Sequence, residues 1–459
     1  MRNNMTDGKA ISWDMLEEYS GDFARHPQHR IAQNSVIKNG IRNTAINYRS
    51  AAEMNYQFSV EIPTGKATHQ KSSGRCWVFA GLNILREIVA KNCDLDDFEI
   101  SQNYVMFWDK LEKANYFLES ILETAGETVD SRLVSWLLAA PLNDGGQWDM
   151  YVSLIEKYGV VPKQTMPETF HSSQSAVMNN LMTAKLREFA AELRRRHQSG
   201  ESPSQLAAAK REMLNEVYRM LCLFLGEPPQ RFDFEYRDKS KQFHRDANLT
   251  PKQFYDKYIG VDLGEYVSVI HAPTKDKPFG KTYTVKYLGN VLGGREVKYL
   301  NVEMDVLKRL AVAQLKDGEP IWFGCDVGKM SDRDTGILDT NLYHYDAVLN
   351  TTFRMSKEDR LDYRESVLTH AMVFTGVHLV DDKPVRWKVE NSWGSDAGKD
   401  GYFIMSDSWF DEYMYQIVVH KKHLPPELLK AAEQPPIELA PWDPMGSLAV
   451  LRVDGSFMA

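Results

Sequence analysis

At about residue 280 the chain changes the period of its apolar residues, and that change most narrowly limits the folds open to it. Upstream, apolar positions recur three and four apart, as on one face of a helix. Val78, Leu82, Leu85 and Val89 make such a stripe on a helix that begins near Cys76 and faces a core. Ser12 opens an N-terminal helix in which Trp13, Leu16 and Tyr19 recur at helical spacing. Residues 175–225 form two more helices that meet at Gln198–Glu201. Ser202, Pro203 and Gln205 supply the second with an N-cap, a first helical residue and a capping-box partner, a grammar that Thr250, Pro251 and Gln253 repeat. Downstream, Thr282–Leu288 is β-branched and aromatic, and Pro320–Gly324 and Met372–Val380 read as buried strands. Trp387–Asn391 and Tyr402–Met405 alternate around a Gly-rich turn and predict a hairpin. Helices in front, a helical insertion in the middle and a sheet-rich back half make the chain α+β.

Its 459 residues are enough to bury a large core without disulfides or metals, and 43% hydrophobic with 26% charged residues excludes disorder. A net charge of −8 gives no global footprint for nucleic acid. Arg194-Arg195-Arg196-His197 is a local basic run, readable as a nucleic-acid patch or as a solvated helix end that suits the macrodipole; the acidic total favours the second. No membrane span is expected, since no window approaches 18 uninterrupted apolar residues. The polar start Met1–Asp7 has no apolar signal core and points to the cytoplasm. Cysteines stand at 76, 93, 222 and 325, too far apart for a metal knuckle or a redox pair, so reduced thiols are expected, with no metal and no cofactor. Cys222 and Cys325 lie in apolar surroundings typical of inert core thiols.

Cys76 differs, because it belongs with two distant segments. Acyl transfer by a thiol needs a thiolate, a base that holds and returns a proton, and a group that orients the base. A helix N-terminus and a neighbouring imidazolium both lower a thiol pKa. His370 precedes an apolar strand that would hold it rigidly, and the Asn391 carbonyl can fix its tautomer without adding a second anion. Gln70, six residues before the thiol, can supply one arm of an oxyanion hole and the Cys76 N–H the other.

Gln-x5-Cys-Trp, a later His before an apolar strand, and Asn391-Ser392-Trp393-Gly394 together resemble the papain-like cysteine proteases, and the order Cys, His, Asn agrees with them. Gln70–Trp77, Asn143–Met150, Glu235–Lys239, Trp322–Lys329 and Trp442–Gly446 are similar to the bleomycin hydrolase and aminopeptidase C branch, and these motifs run from about residue 60 to about 449. The resemblance implies a two-lobed fold, with Cys76 as nucleophile, His370 as general acid/base, Asn391 as orienter and Gln70 as oxyanion donor. It implies a packing role for Trp393 over the Asn–His hydrogen bond, and a cleft lined by Gly145 and Gly146. The 294 residues from Cys76 to His370 exceed what two lobes need, so the surplus is expected to be a subdomain. The organisation expected is an N-terminal extension (1–60), a helical lobe with the nucleophile (61–170), a helical insertion that serves oligomerisation (171–280), a β-rich lobe with His370 and Asn391 (281–435) and a C-terminal arm (436–459). A homohexamer with sites facing an internal channel is implied by the resemblance alone.

The implied activity is a cytosolic thiol aminopeptidase acting on peptides. A nucleic-acid-binding hexamer and an amide- or drug-inactivating hydrolase with the same residues remain as alternatives. Proteins of the branch end shortly after a motif like Trp442–Ala449, and their terminal carboxylate meets the substrate amine. Here ten residues follow Ala449, so the free carboxylate belongs to Ala459 and is not expected where that of Ala449 would sit. The tail is removed by the enzyme, threads past the cleft, or lies outside the natural gene product.

Overall fold

A computed structural model of the chain describes residues 10–449. The change of period near residue 280 becomes a division between a helical lobe and a sheet. In the helical lobe, Cys76–Asn92 packs against Gln102–Glu123 and Trp148–Tyr158, and Ala176–Gln198 and Pro203–Leu225 pack on Gln102–Glu123. The stripe Val78, Leu82, Leu85 and Val89 is buried, as its spacing requires. Both capping boxes form: Ser202 accepts from the Gln205 N–H and Thr250 from the Gln253 N–H.

Among the described residues, the sheet has twelve strands. In spatial order they are Ile437–Leu439, Lys281–Val285, Tyr299–Asn301, Tyr266–Ile270, Met414–His420, Ile321–Cys325, His370–Val380, Lys383–Glu390, Tyr402–Ser406, Ile337–Leu338 and Ser331–Asp332. Val60–Glu61 pairs separately with His370–Val380. The expected alternating pair is antiparallel, with Trp387 opposite Met405. His370 opens its strand directly opposite Cys325, so the sheet interior fixes where the imidazole starts.

Four features add to the sequence reading or depart from it. The span 171–280 is not only helical: it holds the hairpin Phe232–Arg237/Phe243–Leu249, and its strand Tyr266–Ile270 joins the main sheet. The helix Trp13–Arg25 forms with Ser12 as N-cap, yet buries none of its residues; Trp13, Leu16 and Tyr19 are exposed. Cys222 is half-buried on its helix rather than in the core, whereas Cys325 is fully buried. The basic run is also split. Arg194 is buried and donates to the Thr124 and Glu127 carbonyls, so it ties two helices together instead of facing solvent.

The Cys76 helix can approach its neighbour only because Gly81 has no side chain. A Cβ there would lie 2.6 Å from the ring of Tyr151, which is fully buried and has nowhere to move. Gly81→Ala should therefore destabilise the protein by about 1–3 kcal/mol through overpacking, although alanine favours the helix by about 1 kcal/mol. Urea unfolding of the two proteins measures the difference, and a stabilised variant would contradict the packing.

Candidate active site

Cys76 is the first residue of its helix, with Arg75 as the preceding cap. Arg75 is itself buried, bonded to Ser73 Oγ and bidentate to Glu168, so the loop that delivers the thiol is fixed from below. Asp144 fixes it from the side. Its carboxylate accepts from the Gly74 N–H (2.8 Å), Lys110 Nζ (2.6 Å), Asn179 Nδ2 (2.8 Å) and the Ser175 hydroxyl, while its carbonyl accepts from Trp77 Nε1 (2.7 Å). Burial raises the Asp144 pKa, but Lys110, Ser175 and Gly74 outweigh it and hold the carboxyl well below the usual range. The loop from Asn143 to Gly146 is thereby locked to the Cys76 segment. Lys113 strengthens the lock by donating to Asp109 (2.8 Å) and to the Gly145 carbonyl (2.5 Å).

His370 is fully buried, and its Nε2 lies 2.9 Å from Asn391 Oδ1. The same oxygen accepts from the Ser392 backbone N–H at 2.8 Å. A backbone N–H can only donate, so this atom of Asn391 is the oxygen, and His370 Nε2 must carry the shared hydrogen. The lone pair of the neutral ring then sits on Nδ1, which is buried and has no hydrogen-bond partner among the described residues. The Trp393 ring lies 5.0 Å from the imidazole, centroid to centroid, and covers it. Burial lowers the His370 pKa to about 4, with the Asn391 bond pulling it partly back up.

Gln70 is buried beside this pair. Its N–H donates to the Ser392 carbonyl (2.8 Å), and its Oε1 accepts from the Ser392 hydroxyl (2.6 Å). The Ser73 carbonyl can only accept, so its bond from Nε2 (2.6 Å) fixes which end of the amide carries the hydrogens, and Oε1 faces the Ser392 hydroxyl. The bond from Ser392 to this amide is not visible in the sequence, although the residue stands inside the Asn-Ser-Trp-Gly motif.

The C-terminal arm runs into the cleft. Arg132 stacks on Trp442 at 3.7 Å, Arg364 donates to the Trp442 carbonyl (2.8 Å), and Asp443 pairs with Lys277 (2.9 Å). Gln147 Nε2 then donates to the Ser447 carbonyl (2.7 Å). Ala449 pairs antiparallel with Gly146, its N–H reaching the Gly146 carbonyl at 3.3 Å. Cys76 Sγ lies 3.2 Å from the Ala449 carbonyl oxygen, and both residues are fully buried. Gly146 has a packing reason as well as a cleft position, since a Cβ would meet the Trp77 indole at 2.5 Å. Beside the arm lies a cavity of about 1060 Å³, lined from both lobes by Asn143, Tyr116, Tyr287, Leu368 and Thr369. Residues 450–459, the tail singled out in the sequence, lie outside the described residues.

A thiol at a helix start, an oriented imidazole and a peptide strand drawn past them on a papain-like fold define a cysteine peptidase. The pattern of the Peptidase C1-like family matches residues 10–446, and the chain belongs to that family. It is 53% identical to aminopeptidase C of Listeria innocua over 96% of this chain and 99% of that protein. It is 42% identical to bleomycin hydrolase of Rattus norvegicus over 92% of this chain and 95% of that protein. The crystal structure of PepW from Lactobacillus rhamnosis HN001 superposes with a TM-score of 0.95 at 52% identity, covering 96% of this chain and all of that one.

Burial of a neutral imidazole has a consequence for stability. The unfolded His370 takes up a proton near its ordinary 6.5, whereas the folded one refuses it until about 4. Between those values the unfolded state binds more protons, so stability falls as pH drops through that window, by up to about 3 kcal/mol from this residue. The loss of urea stability from pH 7 to about pH 4.5 should be smaller in His370→Gln than in the native protein. Equal losses would mean that the imidazole is already charged in the fold.

Proposed function

We propose that this cysteine aminopeptidase hydrolyses N-terminal residues of peptides with Cys76 as nucleophile, His370 as general acid and base, Asn391 as orienter, and Gln70 with the Cys76 N–H as oxyanion donors. The observation that carries the reading is the 3.2 Å approach of Cys76 Sγ to the carbonyl oxygen of Ala449. The arm lies in the cleft as a peptide would, paired with Gly146 and presenting a carbonyl to the thiol. The thiol proton passes to His370 Nδ1, and the thiolate adds to the carbonyl carbon. Negative charge gathers on the oxygen, where preorganised N–H donors stabilise it. The imidazolium returns its proton to the departing amine, leaving a thioester. Water attacks that thioester with the imidazole as base, and the acid leaves. Substrate length is limited because the arm fills one end of the cleft, so a peptide extends only toward the other.

The same contact favours self-trimming of the tail. The Ala449 carbonyl stands at the thiol, and hydrolysis there would leave a carboxylate on Ala449 to attract a substrate ammonium. Self-association into a homohexamer is supported by the uncovered apolar face of Trp13–Arg25 together with exposed Phe170, Val177 and Leu223. A cytoplasmic setting is supported by four cysteines without a disulfide. The chain divides near residues 60, 170 and 435, with the insertion ending before Tyr266, whose strand belongs to the main sheet. The acidic total and the burial of Arg194 within the basic run argue against nucleic acid as a partner.

Turnover of aminoacyl fluorogenic amides should fall to background in Cys76→Ala and fall less in Asn391→Ala, which loses the orienter and not the nucleophile. A blocked N-terminus should abolish turnover by the native enzyme. Full activity of Cys76→Ala would remove the thiol from the mechanism. Intact mass should show the tail missing from active enzyme and present in Cys76→Ala. A full-length native enzyme that prefers free N-termini would break the link between tail removal and specificity.

A further inference from the structure

Glu390 stands immediately before Asn391 and is buried at 2% exposure. Its Oε1 accepts two bonds from the Cys76 helix, from Asn83 Nδ2 and from Arg86 Nη2, each at 2.8 Å. Asn83 lies seven residues after Cys76, two helical turns along nearly the same face. Glu390 also ends the strand Lys383–Glu390, opposite Val373 of the strand that begins with His370. Both bonding partners reach the loop before the thiol as well: Arg86 donates to the Lys66 carbonyl (2.8 Å), and Asn83 donates to the Thr68 hydroxyl (3.1 Å). One carboxylate therefore joins the helix that carries the thiol, the strand pair that carries His370 and Asn391, and the loop that leads to Gln70.

We propose that Glu390 is a positioning residue for the reaction: through Asn83 and Arg86 its carboxylate sets the Cys76 helix against the His370–Asn391 pair. The inference rests on the roles given above to Cys76, His370 and Asn391. A mismatch of about 1 Å between nucleophile and base costs on the order of a hundredfold in rate, so a link of this kind acts on kcat. The link also responds to pH. Burial raises the Glu390 pKa to about 7, Arg86 on the helix and Lys388 on its own strand pull it down, and Glu87 pushes it up; Tyr402 faces it from the next strand. As pH falls through this value the carboxylate takes a proton and its hold on Arg86 weakens. His370 titrates well below, near 4, so the two limbs are separable.

Glu390→Gln keeps the size and an acceptor but loses the charge. Its kcat should fall roughly ten- to a hundredfold with KM within about twofold. The acid limb near pH 7 should disappear from the kcat profile and from the rate of Cys76 alkylation by iodoacetamide, and Glu390→Asp should retain it. Asn83→Ala, which leaves the buried charges matched, should also lower kcat with KM nearly unchanged, and it serves if the Gln variant does not fold. Native kcat in both Asn83→Ala and Glu390→Gln, or an acid limb that survives in the Gln variant, would overturn the proposal. Turnover surviving in Cys76→Ala would instead overturn the assignment of the site on which it rests.

Discussion

The Asp144 carboxylate is the interaction on which the arrangement of the cleft depends. Four donors from three parts of the chain converge on it: the loop before the thiol, the helix Gln102–Glu123 and the start of the helical insertion. A buried ion pair contributes little net stability, because desolvation offsets most of the attraction, but removing one member leaves an uncompensated charge. Its value here is geometric. Asp144 precedes Gly145 and Gly146, so holding its two ends holds the edge on which a peptide backbone pairs. Lys113 and Lys110 then satisfy the carbonyls of Asn143 and Gly145, which a glycine-rich turn would otherwise leave bare in the interior.

Around that edge the two lobes divide the chemistry. The helical lobe delivers a thiol where first-turn amides favour negative charge. The sheet delivers an imidazole at the first residue of a strand, opposite Cys325, and an amide just past the end of the neighbouring strand. Neither lobe contains a complete site. The polar groups around it are buried and directional: the Ser73 carbonyl fixes the Gln70 amide, which the Ser392 hydroxyl then bonds, and the Ser392 N–H fixes the Asn391 amide and with it the His370 tautomer. A single dipeptide thus bonds both the Gln70 amide and the amide that orients the His370 imidazole.

The arm adds a third component, a strand supplied by the chain to its own cleft. Main-chain pairing with Gly146 gives it the geometry of a bound peptide, and the stack of Arg132 on Trp442 with the Lys277–Asp443 pair anchors its far end. With Ala449 seated at the thiol, Cys76 is covered, and the adjoining cavity is the space left for another ligand.

Local pattern in the sequence determined the elements and the chemical inventory. The apolar stripe after Cys76, the capping boxes at Ser202 and Thr250 and the apolar strand after His370 are all short-range signals, and each forms as its spacing requires. Cys76, His370, Asn391 and Gln70 could be singled out because thiol chemistry calls for those residue types and their motifs are local, and the structure places Gln70 and Asn391 side by side through Ser392 and His370 on Asn391. The hairpin at 232–249 was missed because its charged, exposed alternation resembles loop composition. The exposed face of the first helix was unreadable because helical spacing states which residues share a face, not whether anything covers it. The pairings that align the site, Glu390 with Arg86 and Ser392 with Gln70, span 304 and 322 residues, and Ala449 meets Cys76 across 373. Only the tertiary structure decided these, because the partner of a buried polar group is set by which segments the packed lobes bring within hydrogen-bond reach, and no spacing along the chain encodes that.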